Sequence, residues 1–97
     1  MVAKIHIGLK IVYKPKTTVT WGISALEADK AWAQGFTGKG VLVGHLDTGV
    51  DGTHPTLKKA IAEFAEFDFS GAVVKPTPPA HDSDEHGTHT AATIAGR

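Results

Sequence analysis

Apolar and polar side chains alternate along Lys4–Lys14: Ile5, Ile7, Leu9, Ile11 and Tyr13 fall on one side, Lys4, His6, Lys10 and Lys14 on the other. A period of two marks a strand with one buried face, so this segment predicts a half-buried strand of the antiparallel type. It needs a partner, because an unpaired strand with an apolar row pairs with another chain. Pro15–Thr20 follows as a polar, threonine-rich connector. Beyond it, Ser24-Ala-Leu-Glu27 reads as a capping box, with Ser24 as N-cap and Glu27 reaching back from N3. This predicts a helix from Ala25 to about Gln34 that buries Leu26, Ala31 and Trp32 and ends at Gly35 in the left-handed C′ conformation.

The pattern changes at Val41–Leu46, a short run rich in β-branched residues with Gly-Lys-Gly before it and Asp-Thr-Gly after it. Continuous apolar character over so few residues predicts a strand buried on both faces, as in a parallel sheet. Leu57–Phe69 is ambiguous: Leu57, Ile61, Phe64 and Ala65 fit a helical face, whereas Phe67-Asp68-Phe69 alternates like a strand. Ser70–Glu85 carries Pro76, Pro78 and Pro79 among polar residues and is expected to be an exposed loop, the most mobile part of the chain. A helix is expected from about His86 to Ala95, capped by Ser83 or Asp84. Gly87, Ala91, Ala92 and Ala95 would let it approach a sheet closely.

Composition narrows the function more than the fold. Ten basic and ten acidic side chains cancel, leaving no global field for nucleic acid or an anionic membrane surface. The absence of cysteine excludes disulfides and cysteine-based zinc sites. No apolar stretch approaches a membrane span, and Lys4 and Lys10 interrupt the N-terminal region where a signal peptide needs an unbroken apolar core. Thr37-Gly-Lys-Gly40 is no phosphate loop, because it precedes a strand and lacks the Gly-Lys-Ser/Thr order.

The candidate chemistry lies in two segments. The Val41–Leu46 strand delivers Asp47 at its C-terminal end, the edge of an open parallel sheet where loops form a crevice. His86 stands at the start of a small-residue helix, a general-base residue type at a helix N-terminus. DTGVDGTHP from Asp47, together with HGTHTAATIAG from His86, resembles the first two catalytic segments of the subtilisin-like serine proteases, family S8. WGISALEADKAWAQGFTGKGVLV resembles the segment leading into them, so the likeness spans Trp21–Gly96.

The resemblance implies the N-terminal portion of a three-layer α/β/α parallel-sheet domain with an extra N-terminal strand. Residues 1–20 would be that strand and its connector, either a remnant of a folding-assistant pro-region or an added strand, and 21–97 the catalytic portion. Relatives have a strand at the ambiguous segment, which places one near Ile61–Phe69. By the same resemblance the chain is part of a serine endopeptidase that cleaves protein or peptide substrates through an acyl-enzyme. His86 would be the general base and then acid, and Asp47 its orienting carboxylate; relatives are secreted. The helix N-terminus disfavours an imidazolium and the carboxylate favours it, which together would keep His86 near its ordinary pKa. The family's serine nucleophile in a Gly-Thr-Ser turn has no counterpart here, so the chain alone is expected to be inactive. A fragment of such a sheet is also expected to self-associate unless Lys4–Lys14 pairs internally with Val41–Leu46.

Several residues keep structural roles: Asp51 as a turn former, His54 before Pro55, and His89 three residues after His86. Where many relatives have a calcium-ligating Asp after the His-Pro pair, this chain has Thr56, so no cofactor is expected and the calcium site is in doubt. His45 replaces an aliphatic residue and lies on the same side of the strand as Asp47, a buried histidine that needs a hydrogen bond. Two alternatives come from other classes: a metal-binding module using His81, Asp84, His86 and His89, and a protease-like fragment without chemistry.

Overall fold

The structure, a computed structural model, describes residues 1–7 and 19–97. Its elements are strand β1 (Val2–Ile7), helices α1 (Trp21–Ala25) and α2 (Ala28–Ala33), strands β2 (Val41–Leu46) and β3 (Ile61–Ala65), and helix α3 (Glu85–Ala95). The part of the expected N-terminal strand beyond Ile7 lies outside the described residues.

The strands form one sheet in the order β2-β1-β3, with β1 antiparallel to both neighbours. β2 and β3 therefore run in the same direction, one strand apart. The internal partner that β2 required is β1. Ala3 stands opposite His45 and Phe64, and Ile5 opposite Val43 and Ile61. Residues directly opposite share a face, and this face meets α3. Ala3 and Ile5 join Val50, Leu57, Ala60, Ala91 and Ala95 in a continuous buried cluster. Burying Ile5 completely contributes roughly 2 kcal/mol. Ala91 and Ala95, four residues apart, present small side chains on one side of α3, which lets the helix lie close to the sheet.

The opposite face is open. Leu42 and Leu46 are more than half exposed there, and Lys4 meets Glu63 at 2.7 Å in a solvated pair of the kind that adds little stability. The expectation that β2 is buried on both faces is corrected: it is an edge strand in which only His45 is buried. An apolar run reports that burial is available, and the neighbours decide whether it is realised. The chain thus has α/β character, around a sheet that is antiparallel among the described residues.

The single helix expected over Ala25–Gln34 is also corrected. Ser24 lies inside α1, and Glu27 takes a left-handed conformation, φ 57°, that separates α1 from α2. Glu27 pairs with Lys30 instead of reaching back to an N-cap amide. The end at Gly35 is as expected. Its φ is 90°, and the Gly35 and Phe36 amides donate to the Trp32 and Ala31 carbonyls, closing α2 in a Schellman motif. Neither helix buries a residue: Leu26 is 84% exposed, and Trp32 is only half-buried.

β3 ends at Ala65, short of the expected Phe69. Asp68 then accepts hydrogen bonds from the Ser70 and Ala72 amides, and a bridge joins Phe67 to Val73, so the chain reverses where the strand was expected to continue.

Candidate functional site

Asp47 follows the last residue of β2, and its carboxylate is held by donors from two segments, its own turn and α3. Oδ1 accepts from the Thr48 amide at 2.7 Å and from His86 Nδ1 at 2.9 Å, and Oδ2 lies 3.1 Å from the same Nδ1 and accepts from the Thr90 hydroxyl at 3.2 Å. From behind, the N-terminal ammonium of Met1 donates to the Asp47 carbonyl. These contacts, the His86 hydrogen bond first and the Thr48 amide next, hold the Asp47 carboxyl down at about 2, against a modest upward push from burial.

His86 occupies the first turn of α3. Asp47 raises its pKa above 6.5, through the hydrogen bond first and charge second, and Asp84 and Asp82 add to this. The expectation that His86 stays near its ordinary value is corrected: the neighbouring carboxylates, Asp47 above all, raise it. The Asp47 side chain is 15% exposed and that of His86 67%. The pair is anchored on the Nδ1 side and open to solvent on the other, where Asp84, Glu85, His86 and His89 line a groove.

Polar cross-links join the β2 turn to the start of α3. Three of the first four amides of α3, which no turn of helix can satisfy, meet side chains: Glu85 N–H donates to Asp84, Gly87 N–H to the Thr48 hydroxyl, and Thr88 N–H to Asp82. Asp84 is thus the N-cap, one of the two residues expected. Asp82 also accepts from the Thr48 and Thr88 hydroxyls. Burial pushes its carboxyl up, but these donors outweigh burial and hold it below the ordinary value. Thr88 in turn accepts from the Asp51 amide. Asp51, as expected, holds its own turn through Thr53.

The two motifs interlock through glycine. A Cβ on Gly87 would stand 2.1 Å from the Gly49 carbonyl oxygen, and one on Gly49, at φ 128°, would stand 2.2 Å from the His81 carbonyl oxygen. Glycine at 87 lets the helix approach the turn closely enough for Asp47 to reach His86, and glycine at 49 lets the turn lie against the His81–Asp82 segment that leads into the helix.

Sequence reasoning gave Thr48, Asp82 and Thr90 no part in holding the pair in place, although Asp82 stands in the stretch weighed for metal binding. The available signal was weak: an Asp four residues before the histidine, and threonines beside both motifs. The four residues of the metal-module alternative do not converge. His81 Nε2 meets Glu66 at 2.8 Å while His86 Nδ1 meets Asp47, and among the described residues no three His, Asp or Glu side chains are grouped to hold a metal ion. Nor does a described serine approach His86: Ser83 donates to the Thr48 carbonyl and Ser70 to Asp68. His45 is buried and bonded, its Nε2 lying 2.8 Å from the Thr90 hydroxyl.

Comparison with known proteins identifies the family. Residues 38–97 match the Subtilase family, Peptidase_S8. The chain is 42% identical over 73 residues to the minor extracellular protease Vpr of Bacillus subtilis, covering 70% of this chain and 9% of that protein. It is 38% identical over 85 residues to subtilisin E of the same organism, covering 88% of this chain and 20% of that one. Bacillopeptidase F, also from Bacillus subtilis, is 34% identical over 87 residues, which is 80% of this chain and 6% of the relative. No solved structure matches at a comparable level. The chain belongs to the subtilase family, and it spans a fifth or less of the length of these three relatives.

Proposed function

We propose that the chain is the part of a secreted serine endopeptidase that carries the general base and its orienting carboxylate. The observation that carries this reading is the 2.9 Å contact between His86 Nδ1 and Asp47 on a ring whose other side is exposed. With Nδ1–H donating to Asp47, the lone pair of His86 is on Nε2, facing solvent. A serine hydroxyl supplied by residues other than these gives its proton to Nε2 as its oxygen attacks the peptide carbonyl. Asp47 stabilises the resulting imidazolium, which then protonates the leaving amine; water hydrolyses the acyl-enzyme by the same route. Because His86 is raised above 6.5, the rate falls as pH drops and the base is lost.

Protein or peptide chains are the substrates in this reading, with no nucleic-acid or membrane partner. No helix of the described residues is long and apolar enough to cross a membrane. Residues 1–20 are an added segment whose strand is built into the sheet of the catalytic portion, 21–97. The open sheet face and the shared direction of β2 and β3 are what a three-layer parallel-sheet domain would extend. Without such a cover, the exposed edge of β2 favours self-association of the isolated chain. Calcium has no part in the reading: Thr56 brings a neutral hydroxyl that already meets His54 Nδ1 at 2.8 Å.

The test compares the complete protein that contains this chain with its His86→Ala variant, using an unstructured protein substrate and a covalent serine-hydrolase probe. Turnover is expected to fall by on the order of 10⁴-fold or more, and the 97-residue chain alone is expected to give neither turnover nor labelling. Undiminished turnover by the variant, or cleavage by the 97-residue chain, overturns the reading.

A further inference from the structure

His45 is the one buried polar side chain of the described core, and the chemistry proposed above does not use it. It stands on β2 two residues before Asp47, on the face that meets α3. Its Nε2 is 2.8 Å from Thr90 Oγ1 and 3.7 Å from Asp47 Oδ2. Thr90 Oγ1 has a single proton and three oxygens to give it to: Asp47 Oδ2 at 3.2 Å, the His86 carbonyl at 3.2 Å and the Gly87 carbonyl at 3.1 Å. If His45 presented a bare Nε2, it would compete for that proton as a fourth acceptor. If it presents Nε2–H, it fills the acceptor side of the Thr90 hydroxyl and leaves the proton for the oxygens. The nearby carboxylate decides between these states, because a donor facing a negative oxygen at 3.7 Å is favoured and a lone pair there is not.

We propose that His45 is a positioning residue for the Asp47–His86 pair. It donates Nε2–H to Thr90 Oγ1, which turns the Thr90 hydroxyl onto Asp47 Oδ2, beside the Thr48 amide on Oδ1 and a His86 Nδ1–H that lies within 3.1 Å of both oxygens. Four hydrogen bonds then run in one sense, from His45 through Thr90 and from His86 and Thr48 into a single carboxylate. A threonine within a helix otherwise bonds back to the carbonyls three and four residues earlier, here Gly87 and His86. Without His45 that default wins, and Asp47 loses a donor. A carboxylate with fewer donors concentrates its charge, so it draws the His86 proton more strongly.

The inference rests on reading Asp47 and His86 as the catalytic pair, but its test does not depend on catalysis. The groups that bear on the titration are Asp47 just after β2, the Met1 ammonium just before β1, and Asp82 and Asp84 just ahead of α3; none changes in the variants below. In the full 97-residue chain labelled with ¹⁵N, the imidazole nitrogen shifts of His45 report its tautomer directly at neutral pH. The expected result is a proton on Nε2; a bare Nε2, the Nδ1–H form, overturns the proposal, even if every variant fails to fold. In His45→Val and in Thr90→Val, the His86 titration is expected to rise by about half a unit, about a threefold gain in proton affinity. The double variant is expected to rise no further, because both changes remove the same donor. Additive shifts, or an unmoved titration in a folded His45→Val chain, overturn the proposal. An inactive complete protein would sink the endopeptidase reading and leave these outcomes unchanged.

Discussion

The turn after β2 and the α1–α2 segment both belong to the stretch that resembles subtilases, yet they are held in opposite ways. At the turn, Thr48, Asp82, Asp84 and Thr88 satisfy one another and the first amides of α3, while Gly49 and Gly87 touch. In α1 and α2 the backbone is closed by local hydrogen bonds alone, and Trp21, Leu26 and Phe36 are each at least 70% exposed. Short-range polar cross-links assemble the candidate site from two nearby segments. An apolar helical face is stabilised only by what covers it, and its cover is not among the described residues. The site is thereby cross-linked through side chains, whereas the scaffold that leads into it is not.

The strongest way to break this contrast is Gly87→Ala. The new methyl meets backbone, which cannot move aside as a flexible side chain would, so the chain is expected to lose about 3 kcal/mol and the contact between α3 and the turn. Gly44→Ala makes the same chemical change where nothing lies within 4 Å, and it is expected to shift stability by less than about 0.5 kcal/mol. Urea midpoints of the two variants compare them directly, and equal effects would show that the turn and helix do not interlock in solution.

A smaller effect sharpens the electrostatic side of the comparison. The Asp47 carboxyl is held down at about 2 from 3.8, so its stabilisation is complete above 3.8 and is lost as pH falls toward 2. His86 is raised above 6.5, so its stabilisation is complete below 6.5 and is lost as pH rises through the raised value. The pair therefore supports the fold fully between about pH 4 and 6.5. Asp51, Asp68 and Asp82 are also held down and contribute to the acid limb, whereas the alkaline limb reports the pair. Unfolding followed from pH 2 to 9 is expected to show that decline above neutrality in the parent chain and a much smaller one in Asp47→Asn, where only Asp82 and Asp84 still favour the charged ring.

The smallest effect is expected in α1–α2. Leu26→Lys replaces a side chain that is 84% exposed and is expected to change stability by less than about 0.5 kcal/mol while improving solubility. A loss above about 1 kcal/mol, in the range for removing buried apolar groups, would mean that this face is packed against something in solution and would erase the contrast with the site.

Strand β2 was legible to the residue, because an apolar run between glycines and a turn is bounded on both sides, and α3 was legible from its acidic cap and small-residue spacing. Asp47 and His86 were named from their motifs, and the structure brings them to 2.9 Å. The break at Leu26–Glu27 was not legible, since a capping box and a left-handed Glu27 use the same letters. Asp82 and Thr90 were missed for a different reason: their hydrogen bonds reach 34 and 43 residues away to Thr48 and Asp47, and no local spacing records a partner that distant.

The chain's own letters determined that Val41–Leu46 is extended and that a helix follows Asp84, because those choices are made by φ/ψ preference and by a periodicity of two or 3.6 within a few residues. They determined as well that an aspartate ends one strand and a histidine starts one helix. Only the tertiary structure decided that β1 lies between β2 and β3, that β2 is an edge strand with one face open, and that His45 stands behind the Asp47–His86 pair. Burial, register and hydrogen-bond partnership depend on segments far apart in the chain meeting in space, and a side chain has no preference for them until its neighbours are in place.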